Sequence, residues 1–366
     1  MSDQLKKYSL LCPYCKETFN FEITQKELQS LYSGGLAKIT IDPHGDPPHI
    51  IDVYIDEDEL IRGAFPIFGE IETKVSLQNH YITDATSEIL PQTGRVQGIS
   101  VIPFTISVDN GPLRNYNEDI FFPEVYQNYK TDKKVRSEPV SVECFLNAFR
   151  SAPDNKPIIT LLISKRYSEG YNNAAKAKEL LRKENPTKAE NVHLIDTKTT
   201  GPMMKLMMNK ALEMDEEGQS LQEIIEYMNW ICEKHITFIY VDSLNALRKS
   251  ERVGRVTTFF GNLLGLKPVI IENENNNGDL KAFKTVRTKK DAIREITKAI
   301  RNQFGYVELI GVIFYGIVID DAKELQESLN TDSKIEDNDF TLDFIGTGVA
   351  IHLSYDLFGI SLYPKL

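Results

Sequence analysis

The chain has 366 residues, of which 41% are hydrophobic and 26% are charged, a composition typical of a globular protein with two or three domains. The formal net charge of −11 argues against a surface that tracks nucleic acid, because such a surface needs a concentrated stripe of basic residues. We expect a cytoplasmic protein. The first ten residues lack the apolar run of a signal peptide, and no stretch approaches the ~20 apolar residues of a membrane span. The four cysteines fit a reducing compartment better than a disulfide framework.

Residues 1–76 predict a small β-rich module. Partial alternation of apolar and polar residues in 49–56 indicates a half-buried strand, and the acidic segment 57–59 predicts the turn that follows it. The segments Leu10-Leu11 and Phe19-Asn20-Phe21 flank a pair of cysteines and predict the arms of a hairpin. The polar segment 76–79 is the expected joint to the rest of the chain.

The cysteine pair, Cys12 and Cys15, has the spacing of a zinc knuckle, in which two thiolates on a tight turn hold one tetrahedral ion. A structural site needs two more ligands, and the nearest candidates are His44 and His49, which complete a C-x2-C-x28-H-x4-H pattern. The interval of 28 residues is much longer than in a C2H2 zinc finger. Three interpretations stay open: a structural zinc site, a redox dithiol, and a knuckle that holds no metal.

From His80 onward, short apolar runs alternate with helical patterns. This alternation predicts a parallel sheet that is covered by helices. Ser220 and Glu223 form a predicted capping box at the start of one helix. The predicted strands are 99–104, 158–163 and 192–195, and the predicted helices are 172–181, 202–214 and 220–233.

A second α/β unit is predicted to begin near Thr237. The polar segment 272–279 is expected to be the tip of a hairpin. The strand candidates are 236–241, 307–319, 344–345 and 349–353, and 289–302 is the predicted amphipathic helix. The chain thus predicts an α/β protein with a first lobe at 77–218 and a second lobe at 219–366.

Clusters of polar residues follow several of the predicted strands. Ligands of open α/β sheets bind outside the carboxyl ends of the strands, so clustered hydroxyls there indicate a site for the polar end of a ligand. The clusters are 82–87, 136–139, 163–171, 241–244 leading to Arg252, and 346–352.

The order and spacing of these clusters over residues 80–366 resemble the DegV family of fatty-acid-binding proteins. The family's Ile-Thr-Asp-Ser-Thr-Ser segment is similar to 82–87, with Ala85 as the departure. Its Thr-Ser-Gln-Pro-Ser motif keeps Ser137 and Pro139, but Arg136 replaces the threonine. The matches in the later motifs are Ser164, Ser168, Tyr171, Arg252, the segments 261–268 and 286–288, and, in the partly matched terminal motif, His352.

The resemblance implies a two-lobed DegV-like fold with parallel-rich sheets flanked by helices. It also implies that a long-chain fatty acid lies between the lobes, with its tail in the first lobe and its carboxylate near hydroxyls, an arginine and a histidine. Arg136 would either supply a charge-assisted contact in place of the missing threonine, block the pocket, or face solvent. The residues implied for lipid binding are Asp84, Thr86, Arg136, Ser137, Ser164, Ser168, Arg252 and His352.

The resemblance further implies a non-catalytic carrier that needs no cofactor and presents the carboxylate to a separate fatty-acid kinase. The sequence has no GxxxxGK[ST] loop, so phosphoryl transfer would need that second protein. Three alternatives stay open: a lipid hydrolase that uses Ser168 and His352 but lacks the G-x-S-x-G elbow, a protein that binds a small ketone or sugar, and an adaptor with a zinc module.

Each motif residue also has a purely structural interpretation. Ser168 and Thr86 could cap helices, and His352 could be a hydrogen-bonded core residue. Five of the seven methionines lie in 202–214, where flexible thioethers could line an alkyl chain or simply pack in the core.

Overall fold

The computed structural model of the protein describes residues 5–33, 35–69, 76–116, 120, 122–131, 133–242, 266–273, 279–316, 318–335 and 339–366. These residues form an α/β fold with parallel, antiparallel and mixed sheets and a separate β-rich N-terminal segment, which confirms the predicted fold class. The predicted domain boundaries at 76/77 and 218/219 stay predictions. Among the described residues, no helix is both long enough and apolar enough to cross a bilayer.

The N-terminal segment consists of a hairpin and a four-stranded antiparallel sheet. Strands β1 and β2 form the hairpin, and the sheet has the order β3-β4-β5-β6. The structure therefore contains the hairpin arms and the strand at 49–56 that the sequence predicts. The elements are β1 (Leu5–Leu11), β2 (Thr18–Thr24), α1 (Gln25–Ser30), β3 (Tyr32–Ser33), β4 (Leu36–His44), β5 (His49–Asp56) and β6 (Ile61–Phe68).

The first lobe is built on a fully parallel sheet. A short 3-10 turn, Ala85–Ser87, follows the first strand of this lobe. The elements are β7 (His80–Asp84), α2 (Pro91–Gln97), β8 (Ile99–Ile102), β9 (Thr105–Val108), β10 (Arg114–Asn115), α3 (Phe122–Lys130), β11 (Val135–Glu138), α4 (Val142–Ser151), β12 (Ile158–Leu162), α5 (Gly170–Glu184), α6 (Pro186–Glu190), β13 (Val192–Asp196) and α7 (Pro202–Glu216). Helix α8 (Leu221–Lys234) follows, beyond the predicted boundary at 218/219.

The parallel sheet has the order β13-β12-β7-β8, and its central strand β12 is buried along its whole length. Such a strand is flanked by helices on both faces, which is why its sequence is continuously apolar and does not alternate. A separate antiparallel sheet, β10-β9-β11, lies beside it. The predicted capping box of Ser220 and Glu223 is present at the start of α8.

The second lobe contains a mixed six-stranded sheet with the order β16-β15-β14-β19-β17-β18, in which only the β17–β18 pair is parallel. The antiparallel pairing of β15 with β16 agrees with the hairpin that the sequence predicts there. The elements are β14 (Ile236–Val241), β15 (Lys267–Asn273), β16 (Lys281–Val286), α9 (Lys289–Phe304), β17 (Leu309–Tyr315), α10 (Ile319–Asn330), β18 (Asp339–Phe344), α11 (Thr347–Leu353) and β19 (Leu357–Pro364).

The prediction of a strand at 349–353 is wrong, because these residues lie in helix α11. Val349, Ala350 and Leu353 are its buried apolar residues, and positions i, i+1 and i+4 lie on one face of a helix. A run of five apolar residues does not distinguish a strand from a short buried helix by composition alone. His352 therefore projects from a helix and not from a strand.

Helix α7 lies between the two large sheets and contacts β12 on one side and β17 and β19 on the other. Its five methionines are all buried, and four of them belong to the same apolar cluster as Tyr363 of β19. The methionines thus pack in the core that joins the lobes.

The N-terminal sheet packs on the lobes through aromatic rings. The Phe65 ring centroid of β6 lies 5.3 Å from that of Phe122 in α3 and 6.4 Å from that of Phe344 at the end of β18. Phe65 packs against the same apolar cluster that contains Val349 and Leu353 of α11. The module therefore supports α11 from outside the space between the lobes.

Candidate functional site

A narrow cavity lies between the parallel sheet of the first lobe and the mixed sheet of the second. It contains about 940 Å³ of empty space, including the part that is open to solvent. Residues at the ends of β7 and β11 and in the loop after β12 form one wall, and residues of β14, β15, β17 and α11 form the other. The surface that faces the cavity is mostly apolar, as is usual for sites that bind small molecules.

Ser137 and His352 form a polar contact across this cavity. Ser137 lies on β11 and His352 on the last turn of α11, and the Ser137 Oγ atom is 3.0 Å from His352 Nε2. Both residues line the cavity. In this contact one partner donates to the other, so both can donate to a ligand's acceptor group, one from each lobe, only where the ligand replaces the contact.

Asp84 and Thr86 lie at the end of β7. The Asp84 Oδ1 atom accepts the Thr86 N–H at 2.9 Å and also the Thr86 hydroxyl, and Oδ2 accepts the Ile163 N–H at 3.4 Å. Burial raises the pKa of Asp84 above its ordinary value, and the hydrogen bonds from Thr86 oppose that rise. Asp84 thus fixes the 3-10 turn and ties the end of β7 to the end of β12, while both side chains face the cavity.

Ser164 and Ser168 differ in position. The Ser168 Oγ atom lines the cavity and accepts the Gly170 N–H at 3.2 Å, at the beginning of α5. Ser164 is fully buried, and its Oγ atom accepts the Arg166 N–H at 3.2 Å. Ser164 shapes the loop after β12 and is not among the described residues that line the cavity.

Of the two predicted arginines, only Arg136 is among the described residues, and it lies away from the cavity. Arg136 is exposed on β11, and its guanidinium donates to Asn110 Oδ1 at 3.4 Å. Neighbouring residues of a strand point to opposite faces, so Arg136 faces away when Ser137 faces the cavity. Arg252 lies outside the described residues. Of the eight predicted lipid-binding residues, the structure brings five to the cavity: Asp84, Thr86, Ser137, Ser168 and His352.

A buried polar group that the sequence analysis did not identify also contributes to the cavity wall, through Tyr167 and Glu272. The Tyr167 hydroxyl donates to Glu272 Oε2, and His235 Nε2 lies 3.3 Å from Glu272 Oε1. Burial, followed by the charge of Glu272, raises the pKa of Tyr167 well above 10. The Tyr167–Glu272 bond connects the loop after β12 in the first lobe with β15 in the second. Tyr167 lies inside a recognised motif, but Glu272 begins an acidic, asparagine-rich segment that is typical of an exposed turn.

A second group of chemically reactive side chains lies in the N-terminal module. Cys12, Cys15, His44 and His49, the four residues predicted as metal ligands, come together, and their ligand atoms all lie within 4.8 Å of one another.

Comparison with known proteins identifies relatives of the two lobes. A DegV domain-containing protein of Staphylococcus aureus is 23% identical over 286 residues, which cover 78% of this chain and 98% of the relative. A DegV domain-containing protein of Caldanaerobacter subterraneus is 25% identical over 291 residues, with 78% and 98% covered.

Solved structures share the fold. A fatty-acid-binding DegV family protein from Thermus thermophilus matches with a TM-score of 0.68 and 24% identity, over 79% of this chain and 100% of that protein. A stearic-acid-binding protein from Eubacterium ventriosum matches with the same TM-score and identity, over 78% of this chain and 98% of that protein. The model of the DegV family, whose description reads "Uncharacterised protein, DegV family", matches residues 80–365. The chain therefore belongs to the DegV family.

Proposed function

We propose that this protein is a non-catalytic carrier that binds one long-chain fatty acid in the cavity between its lobes. The observation that carries the proposal is a mostly apolar cavity with the Ser137–His352 pair in its wall. Two proteins with the same fold support it: the one from Eubacterium ventriosum binds stearic acid, and the DegV family protein from Eubacterium eligens was loaded with heptadecanoic acid.

The apolar walls would hold the alkyl chain. Val140 and Ile163 of the first lobe face Ile239, Val349 and other apolar residues of the second. Burial of an alkyl chain contributes about 0.8 kcal/mol per methylene, so a sixteen-carbon tail would gain on the order of 10 kcal/mol before the costs of ordering and association. Enclosure of the tail is the main source of affinity in this proposal.

The Ser137–His352 pair is the position that we assign to the carboxylate. Hydrogen bonds to a charged group are stronger than neutral ones, and both side chains can donate. Asp84 and Glu272 also line the cavity, and an ionised carboxylate there would repel the carboxylate of the ligand. This repulsion favours the serine–histidine end of the site over the parts of the wall that contain the buried Asp84 and Glu272, because the third acidic residue of the wall, Glu138, is exposed and solvent screens its charge.

We further propose that the carrier presents the bound carboxylate to a separate fatty-acid kinase. The chain has no GxxxxGK[ST] loop, so the carrier would offer the carboxylate to a second protein that binds ATP. The partner's surface would have to reach the cavity where it is open to solvent.

Native mass spectrometry of delipidated protein that is then reloaded with palmitate tests the carrier function. We expect one fatty acid per chain, and lipid extraction should return the acid unchanged. Protein that takes up no acyl chain at micromolar concentration would exclude this function.

A lipid hydrolase makes a different prediction. His352 contacts Ser137, whereas the Ser168 hydroxyl accepts the Gly170 N–H, so the two serines are not equivalent candidates for a nucleophile. A fluorophosphonate probe should leave both serines unlabelled if the protein is a carrier. Stoichiometric labelling of either serine, together with turnover of an ester, would favour the hydrolase.

A further inference from the structure

Two turns of the N-terminal module meet at one point. The turn between β1 and β2 carries Cys12 and Cys15, and the turn between β4 and β5 lies between His44 and His49. The Cys12 Sγ atom is 3.2 Å from His49 Nε2, although 37 positions separate the residues. We propose that these four side chains bind one Zn²⁺ ion, which fixes the hairpin to the four-stranded sheet.

The spacing of the ligand atoms fits a tetrahedral ion. Zinc–sulfur and zinc–nitrogen bonds of about 2.3 and 2.0 Å place neighbouring ligand atoms of a tetrahedron roughly 3.3–3.8 Å apart. All four ligand atoms here lie within 4.8 Å of one another. Small side-chain rotations therefore suffice to bring them to bonding distance.

Both histidines present the correct nitrogen. His49 Nδ1 lies 2.8 Å from the Pro47 carbonyl oxygen, and His44 Nδ1 lies 3.0 Å from that of Asp42. A carbonyl oxygen only accepts hydrogen bonds, so in a neutral imidazole each Nδ1 carries the hydrogen and each Nε2 keeps a lone pair. Backbone carbonyls commonly orient metal-binding histidines in this way.

The His44 Nε2 atom is the observation that points most directly to a ligand. It is buried, and it has no hydrogen-bond partner among the described residues. A buried polar atom without a partner is costly, and a bound ion would remove that cost. His49 Nε2 and Cys12 Sγ would exchange their mutual contact for bonds to the same ion.

The surroundings of the cluster are closely packed. The His44 ring centroid lies 4.2 Å from that of Phe19, and the His49 ring centroid lies 5.0 Å from that of Phe68. Gly45 has φ +75°, and a Cβ atom there would lie 2.5 Å from His49 Cε1. Only glycine fits this position without displacing a ligand, so the loop holds the histidine in place.

Two thiolates and two imidazoles form a complete tetrahedral set for zinc. All four positions are taken by protein side chains, so the site is structural and leaves no place for a substrate. Binding replaces the thiol hydrogens of Cys12 and Cys15 with bonds to the ion and releases two protons to solvent, with no change of oxidation state.

Metal analysis of tag-free, reduced full-length protein tests the proposal. Inductively coupled plasma mass spectrometry should find about one zinc per chain, and the content should fall to near zero in Cys12→Ser and in His44→Asn. Cys144→Ser is the matched control, because Cys144 is an exposed free cysteine of helix α4, and it should keep the full zinc content.

Cobalt substitution of the wild-type protein does not depend on whether the variants fold. Co²⁺ added to chelator-treated, reduced protein should produce the visible bands of tetrahedral cobalt and thiolate-to-cobalt charge transfer, and Zn²⁺ should abolish both. Zinc-free protein without these bands would overturn the proposal. A Cys12–Cys15 disulfide in metal-free, folded protein would overturn it in favour of a redox pair.

Discussion

The Ser137 hydroxyl lies 3.0 Å from His352 Nε2, although 215 positions separate the two residues in the chain. Ser137 belongs to β11 and His352 to α11, so the contact joins the first lobe to the second across the cavity. A carboxylate bound at this point would touch both lobes at once. Its affinity should therefore depend on each of the two side chains.

Removal of either side chain should weaken fatty-acid binding. A hydrogen bond to a charged group contributes about 1.5–3 kcal/mol, so Ser137→Ala and His352→Ala should each raise the Kd for palmitate roughly 10- to 100-fold. Calorimetry with palmitate and with hexadecanol measures the effect, and the alcohol should be affected less. Arg136→Ala, one residue away on the opposite face of β11, should change neither affinity. Equal palmitate affinities for all three variants and the wild type would contradict the assignment.

Filling the cavity should exclude long chains. Val349 lines the cavity one turn before His352, and a phenylalanine there would occupy space that the tail needs. Displacement of a fluorescent fatty acid by a series of chain lengths should show that Val349→Phe loses affinity for long acids by about tenfold or more, since overpacking costs about 1–3 kcal/mol. Val349→Ala should keep binding. Unchanged long-chain affinity in Val349→Phe would move the tail elsewhere.

Glu88 should make the folded protein less stable as the pH rises from about 4.5 to 8. Burial raises the pKa of its carboxyl from the ordinary 4.5 to about 8. In this window the folded protein keeps a proton that the unfolded chain has lost, so the free energy of unfolding falls with rising pH, by at most about 1.4 kcal/mol per unit. Urea unfolding at pH 5 and pH 8 should show a smaller difference for Glu88→Gln than for the wild type. Identical differences would mean that Glu88 ionises normally.

Asp215 should be essential for stability but not for binding. Its carboxylate accepts the Gln78 and Asn79 N–H groups at 2.8 and 3.0 Å, the Asn79 side chain at 2.9 Å and the Tyr81 hydroxyl at 2.9 Å. Asp215→Ala leaves these donors without their acceptor and should lower the free energy of unfolding by about 3–5 kcal/mol. Chemical denaturation measures this loss.

The neighbouring residue of α7 provides the control for Asp215. Glu216 is exposed, so Glu216→Ala should change the free energy of unfolding by no more than about 0.5 kcal/mol. Similar effects of the two substitutions would show that the helix and not the buried carboxylate determines the loss.

The sequence was sufficient to predict strands β12, β13 and β14 and helices α5, α7, α8 and α9, but not the buried strand β19 or helices α4 and α10. The continuous apolar run of β12 has the signature of a parallel strand covered on both faces, and the capping box of α8 marks its beginning. Whether 349–353 form a helix or a strand could not be predicted in the same way, because a run of five residues is too short for its length to distinguish the two.

The candidate site was predictable only where a motif carried it. Ser137 and His352 come from family motifs, and their contact depends on the packing of two distant elements. The position of Arg136 follows from strand alternation once β11 is assigned, but 135–138 carry little apolar signal. Glu272 had no local signal, because its burial depends on pairing with β14 and on Tyr167 from the other lobe.

The most direct measurement is ¹³C NMR of protein loaded with palmitate that is labelled at its carboxyl carbon. We expect one bound carboxyl resonance at one equivalent per chain, which shifts in Ser137→Ala and His352→Ala and stays in place in Arg136→Ala. A spectrum with only the free palmitate resonance would contradict fatty-acid binding. A bound resonance that neither Ser137→Ala nor His352→Ala moves would contradict the assignment of the carboxylate to the Ser137–His352 pair.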